Sequence, residues 1–384
     1  MQDCNPPSLQ AVAAVDTGCL AQYHAGNVRQ PLNLTVARGL SPAPRGGHMR
    51  IVVFGPEKRV GSWEGNEIVD LQLATTKYLR EKADERRPYQ MASAYVPETL
   101  RPFIDGGSRA LEYAQKAVDY LQKQAGDHTG IDGEQLVFAK DSVKLHAPLP
   151  NPGAPIACMG ANYMAHGEAG RRRRGDFRSD GEVLEELRKG GLGAGGPVGG
   201  FWKLTDTIRG HEDEITYPAR TKKYDYEGEI AIIIGKPAKN VPASKVGEYI
   251  WGVTTHVDWS IRDGDDNGNR TFRHAKNFDT SSSMGPSIVV GELDPQNHDM
   301  ETRINGEVRQ HYNSRGMTFS FAEIIEFLSS NFTLVPGFVL SGGCGPGTAM
   351  EIGTPEAFLQ PGHVIEFESP RIGLLRNRVG KDKA

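Results

Sequence analysis

The run Tyr224-Asp-Tyr-Glu-Gly-Glu-Ile-Ala-Ile-Ile-Ile-Gly235 constrains this chain more than any other stretch. Residues 230–234 are apolar on both alternating faces, the pattern of a strand covered on both sides. Glu227 and Glu229 stand two apart at its mouth. In an extended chain they share a face, with their backbones about 7 Å apart. Like charges that close stay ionised only with water, a basic partner or a bound cation. A further carboxylate, Asp258, ends the β-rich run Val253-Thr-Thr-His-Val-Asp258. Brought together on neighbouring strands, the three make an all-oxygen site. Hard ligands of that kind favour Mg²⁺, Mn²⁺ or Ca²⁺ over zinc. Spacing alone leaves a plainer reading open, in which Glu227 and Glu229 line a solvent face and Asp258 caps a turn.

Around this run the chain reads as α+β. Gly and Pro together supply 70 of 384 residues, which argues against a helical bundle. Residues 1–48 lack a clear period and predict a disordered extension. From Met49 short strands are expected at 51–54, 59–63 and 67–70. Helices follow near 71–82 and 108–124, where Leu111, Ala114, Ala117, Val118 and Leu121 recur at helical steps. The stiff connector Ala147-Pro-Leu-Pro-Asn-Pro-Gly153 suggests a boundary, giving a small α+β domain over 49–150 and a second domain over 151–384. In the second, β runs dominate at 156–160, 229–234, 249–257, 287–290, 301–308, 338–340 and 364–368. One helix is expected at 321–329, with Ser320 as its N-cap. Gly191-Leu-Gly-Ala-Gly-Gly196 matches GxGxxG literally, but no strand precedes it and Pro197 follows, so 190–200 reads as a loop.

Charge and cysteine content narrow the function classes. Lys+Arg number 44 against Asp+Glu 48, a net charge of −4 that gives no reason to expect nucleic acid or an anionic membrane as partner. Cys4, Cys19, Cys158 and Cys344 form no CxxC pair, so neither a disulfide framework nor a cysteine-based zinc site is expected. The first residues show no secretory signal, and a cytoplasmic location is the expectation.

At these residues the chain resembles the fumarylacetoacetate hydrolase family. The matching segments, in order, are Gly160-Ala-Asn-Tyr-Met-Ala-His166, Phe201-Trp-Lys-Leu204, Asp225-Tyr-Glu-Gly-Glu-Ile230, Val257-Asp-Trp-Ser-Ile-Arg-Asp263, Lys276-Asn-Phe-Asp-Thr280, Met284-Gly-Pro286, Asn305-Gly-Glu-Val-Arg-Gln310, Leu334-Val-Pro-Gly337 and Leu374-Leu-Arg-Asn377. The resemblance implies a mixed β-sandwich roll, a homodimer, and Glu227, Glu229 and Asp258 as ligands of Mg²⁺ or Mn²⁺. It implies Lys276 facing a small anionic keto-acid substrate, and His166 as the histidine of a His–Glu dyad on a lid. Tyr163, Lys203 and Arg262, within matched segments, are expected at the substrate. The activity implied is hydrolysis of a C–C bond in an acylpyruvate or related β-diketo acid. The alternative is a lyase or isomerase on the same site: a decarboxylase, sugar-acid dehydratase or dienoate isomerase.

Departures from the family pattern bear on that choice. The dyad glutamate is commonly three residues after the histidine; here Ala169 stands there and Glu168 is the candidate. If Glu168 points away, the attacking water loses its orienter and the alternative chemistries gain. Arg171-Arg-Arg-Arg174 reads as a solvated run, or as a contact for a second substrate carboxylate. The substrate loop reads Ser341-Gly-Gly-Cys-Gly-Pro-Gly-Thr348, with Ser341 or Thr348 in the hydroxyl role. His256 reads as a packed histidine, Asp225 as a support for Glu227, and Arg262-Asp263 as an ion pair. Cys344 has no base assigned beside it by any motif, which argues against a nucleophile.

Overall fold

The computed structural model describes residues 48–381 except 125, 127, 174, 191–198, 207, 264–271 and 292–293. The extension expected over 1–48 thus lies outside the described residues but for His48, as does most of the glycine-rich 190–200 stretch.

The strand Gly228–Ile234 is buried along its whole length. It pairs antiparallel with Ile250–Asp258 on one side and with Val339–Cys344 on the other. Its Ile230, Ile232 and Ile234 pack into one core with Met300, Ile365 and Phe367 of a second sheet. Ala231 and Ile233 enter another core with Leu71, Ala114 and Val118 of helices before residue 150. Both faces are therefore covered, as the run of isoleucines requires. Each fully buried Ile or Leu contributes about 1.5–3 kcal/mol.

Among the described residues the large sheet has twelve strands. Met49–Phe54 joins it by pairing with Ser282–Val290, so strands from before and after residue 150 share one hydrogen-bonded sheet. A five-stranded sheet packs against it, built from Glu307–Asn313, Asp299–Ile304, Val364–Ser369, Gly373–Val379 and Glu214–Ile215. Parallel pairs occur in both, Val339–Cys344 with Ile156–Gly160 and Gly373–Val379 with Glu214–Ile215. The architecture is the mixed-sheet α+β fold that the sequence implied. No helix among the described residues is long and apolar enough to cross a membrane.

Several local expectations are met for the reasons given. Helix Leu71–Glu81 starts where the Asp70 carboxylate accepts from the Leu73 amide at 2.9 Å. Helix Gly107–Lys123 buries Ala110, Ala114, Ala117, Val118 and Leu121. Helix Phe321–Asn331 carries a full capping box between Ser320 and Glu323. Others need correction. The 301–308 run is not one strand but a hairpin, because Asn305 and Gly306 take φ of 50° and 84°. Helices Pro88–Tyr95 and Leu100–Asp105 escaped the periodicity reading; they are short and proline-containing. The stretch after His166 contains two helices, Met164–Arg173 and Asp180–Gly190.

Candidate active site

Glu227 immediately precedes the central strand, Glu229 lies within it, and Asp258 ends its neighbour. The register that sets Gly228 opposite Val257 brings the three side by side. Each offers an oxygen within 4.8 Å of the others. Their exposures are 5%, 2% and 1%, which excludes the solvent-face reading. The Lys276 ammonium sits between two of them. It donates to Glu227, to Asp258 at 2.5 Å and to the Ser260 hydroxyl at 2.6 Å.

The electrostatics are uneven. Burial alone would raise the Glu227 pKa, but the charges of Arg262, Lys276 and His166 outweigh it and hold the carboxyl well below its usual range. Burial pushes Glu229 up, and the charges of Asp258 and Glu227 add to the rise. Among the described residues no lysine or arginine pairs with Glu229. Its neighbours are the Ser341 hydroxyl, which donates to it, and the His256 ring at 3.6 Å. A buried carboxylate without a lysine or arginine partner, beside two others in an all-oxygen set, is the environment that a hard divalent cation fits.

His166 projects from helix Met164–Arg173 toward this cluster. Its Nε2 is 3.8 Å from Glu227 and its Nδ1 is 3.2 Å from Glu351. Burial lowers the imidazole pKa, but the hydrogen bond with Glu351 and the charges of Glu227 and Glu351 more than reverse this, leaving it raised. Glu168 does not reach His166. Its carboxylate accepts from Arg172 Nε at 2.8 Å and its side chain is 39% exposed. Helix geometry is the reason, since residues two apart point to different sides while 168 and 172 share one. The carboxylate at the histidine is instead Glu351, which also accepts from the Gly347 amide at 2.7 Å and the Thr348 amide at 3.1 Å. No sequence motif flagged Glu351; its only signal was a Thr348-to-Glu351 capping spacing.

The remaining site candidates take supporting places. Lys203 is fully buried, its ammonium donating to Asp258 and, at 3.3 Å, to the Trp259 carbonyl. Arg262 donates to Asp225 at 2.8 Å and to Glu227 at 2.6 Å. The expected pair with Asp263 is replaced by these contacts, and Asp263 accepts from the Lys222 amide at 2.7 Å. Asp225 also accepts from the Ala349 amide at 2.8 Å, tying the loop before Glu351 to the short strand Tyr224–Asp225 ahead of the central one. Ser341 links Glu229 to His256, whose Nδ1 lies 2.9 Å from its hydroxyl. Thr348 caps the turn bearing Glu351. Tyr163 is buried edge-on to Tyr312, with ring centroids 5.1 Å apart. Arg171 donates to the Met164 carbonyl at 3.0 Å. Cys344 does have a base beside it, the His166 ring at 3.7 Å.

His166, the three carboxylates, Arg262, Lys276 and Cys344 line a cavity of about 290 Å³, whereas Lys203, Ser341, Thr348 and Tyr163 do not reach its wall. Clefts of about 650 and 700 Å³ occur elsewhere, lined by residues such as His211 and Arg376 or Pro150 and Arg209, without a comparable convergence of buried charge.

The model for the fumarylacetoacetate (FAA) hydrolase C-terminal domain matches residues 155–380. The chain belongs to this family. It is 30% identical over 320 residues to the oxaloacetate tautomerase YisK of Bacillus subtilis, covering 83% of this chain and 94% of that one. The fumarylacetoacetate hydrolase of Exiguobacterium antarcticum superposes with a TM-score of 0.61 at 25% identity, over 87% of this chain and all of the other. A maleylpyruvate hydrolase from Sphingobium sp. SYK-6, in complex with manganese(II) and pyruvate, gives 0.61 at 22% identity over the same shares. This member of the family is an enzyme; its relatives include oxaloacetate tautomerases, and the structures that share its fold include a probable isomerase and a maleylpyruvate hydrolase.

Proposed function

We propose that this family member catalyses proton transfer in a small 2-oxo dicarboxylic acid of the oxaloacetate type, interconverting its keto and enol forms. Glu227, Glu229 and Asp258 would hold the Mg²⁺ or Mn²⁺ on which the reaction depends. Such an ion supplies Lewis-acid stabilisation of the negative charge that develops on a 2-oxo acid. His166 Nε2 takes the proton from the carbon next to the carbonyl and returns it to oxygen, or the reverse. Glu351 orients the ring through Nδ1 and balances the imidazolium charge. Lys276 and Arg262 give the cavity wall positive charge that suits an anionic substrate.

The observation that carries this reading is the His166–Glu351 pair set against three buried carboxylates, with Glu168 turned to Arg172. The likeness to an oxaloacetate tautomerase over 94% of its length supports it. Hydrolysis of an acylpyruvate is the second reading, because the same dyad can take a proton from water.

The test follows the ultraviolet change of enol-oxaloacetate with Mg²⁺ present, and cleavage of an acylpyruvate panel in water labelled with heavy oxygen. Acceleration of ketonisation without label in any product acid is expected. Label in a product acid, with no acceleration of ketonisation, overturns the proposal in favour of the hydrolase.

A further inference from the structure

Cys344 ends the strand Val339–Cys344 directly opposite Glu229 and is only 5% exposed. Its sulfur lies 3.7 Å from His166 Nδ1, 3.9 Å from His166 Nε2 and 3.5 Å from Glu227 Oε1. The Nε2 to Glu227 Oε1 distance is 3.8 Å. A tetrahedral ion with metal–sulfur and metal–nitrogen bonds of about 2.3 and 2.0 Å needs sulfur-to-nitrogen edges of about 3.5 Å. One atom from each of the three donors lies within 4.8 Å of the others, and because the sulfur is nearly equidistant from both ring nitrogens, the ring must turn Nε2 toward it to close such a tetrahedron.

We infer that His166, Cys344 and Glu227 form a second cation site, one that takes a thiophilic dication such as Zn²⁺. Two of its donors, the thiol and the imidazole, differ in kind from the all-oxygen set beside it, with which it shares Glu227. Thiolate and imidazole select softer ions that Mg²⁺ does not resemble. A carboxylate already stands behind the histidine, with Glu351 3.2 Å from Nδ1. That fixes the tautomer that leaves Nε2 free to ligate, as second-sphere carboxylates do in zinc proteins. The His166 side chain is 20% exposed and lines the cavity, and the turn of its Nε2 would be made into that space. Arg262 also donates to Glu227 Oε1, at 2.6 Å, and Lys276 holds the other oxygen. Oε1 keeps a second lone pair for the ion. The thiolate, Glu227 and Glu351 offset the nearby positive charge. Binding sends the thiol proton to solvent, together with the Nε2 proton of any imidazolium form, and replaces the Cys344–Glu227 hydrogen bond.

Occupancy ties up the His166 lone pair. If His166 moves the proton as proposed above, turnover then stops; that consequence rests on the function reading, whereas the site does not.

The experiment uses the full chain carrying C4S and C19S, so that Cys158 and Cys344 are its only thiols. Co²⁺ is titrated in excess Mg²⁺, and thiolate-to-metal charge-transfer absorption is read. One equivalent is expected to produce the band, and one equivalent of Zn²⁺ to remove it. Cys344→Ser and, separately, His166→Ala are expected to abolish it, with Tm monitored to confirm folding. Glu351→Gln is expected to weaken binding by about 10- to 100-fold. Absence of the band in the parent, or its persistence in both Cys344→Ser and His166→Ala, overturns the site. A band accompanied by undiminished turnover upholds the site and removes His166 from the reaction, so the two readings fail separately.

Discussion

Glu351→Gln separates the structural assignment of the dyad from the one that sequence suggested. The carboxylate lies 3.2 Å from His166 Nδ1, with side-chain exposures of 11% and 20%. A hydrogen bond to a charged group in such a place is worth about 1.5–3 kcal/mol. Removing the charge should therefore lower kcat/KM about 10- to 150-fold. Gln keeps an acceptor for the Gly347 and Thr348 amides, so the cost in stability should stay below about 1 kcal/mol. The pH profile gives a second readout. Glu351 helps to raise the His166 pKa, and a base works only when neutral, so activity climbs as pH rises through that pKa. Without the carboxylate the rising limb should move to lower pH. By the same sign, the pair's contribution to stability is complete below the unfolded histidine pKa and is lost as pH rises through the folded one. Glu168→Gln is the control. Its exposed pairing with Arg172 is worth about 0.3–0.5 kcal/mol, so kcat/KM should change by no more than about twofold. A larger loss in Glu168→Gln than in Glu351→Gln, or a limb that moves upward, would refute the assignment.

Other perturbations probe the carboxylates and the loop that holds Glu351. Glu229→Gln should leave the metal-free protein at least as stable at neutral pH, because a buried acid with a raised pKa costs stability when ionised. The same variant should lose the rise in Tm on adding Mg²⁺, as scanning calorimetry would show. In the wild type, Mg²⁺ or Mn²⁺ at about 100 times Kd should add about 2.7 kcal/mol of stability, and a chelator should abolish both that gain and turnover. A Tm indifferent to saturating metal would count against the all-oxygen site. Gly347→Ala places a Cβ 2.0 Å from the Arg309 carbonyl oxygen at a φ of +105°. It should cost about 1–3 kcal/mol and lower kcat by displacing Glu351, both measurable by denaturation and initial rates.

Much of the fold could be read from local pattern. An unbroken apolar run marked the strand expected at 229–234, helical spacing marked the helix expected at 108–124, and Ser320 marked the start of helix Phe321–Asn331. Each rests on forces acting within a few residues. The hairpin turn was present in the sequence as Asn305-Gly306, a pair suited to the two positive φ values that the turn needs, and reading 301–308 as one strand passed over it. Lys203 drew notice as a substrate contact, yet it is buried behind Asp258, a placement fixed by strand pairing of Gly199–Lys203 with Ile156–Gly160.

By itself the chain's order of residues determined that Glu227 and Glu229 would sit on one side of a covered strand, since the two-residue period of extended backbone allows nothing else. Its helical phase also placed Glu168 beside Arg172 once the stretch was helical. Only the tertiary structure decided that Asp258 would complete the trio, that Glu351 would stand behind His166, and that Cys344 would meet both His166 and Glu227. Those partners come from separate strands, helices and loops. Their meeting depends on sheet register and on how the loop after Cys344 closes over the strand ends, which no local period encodes.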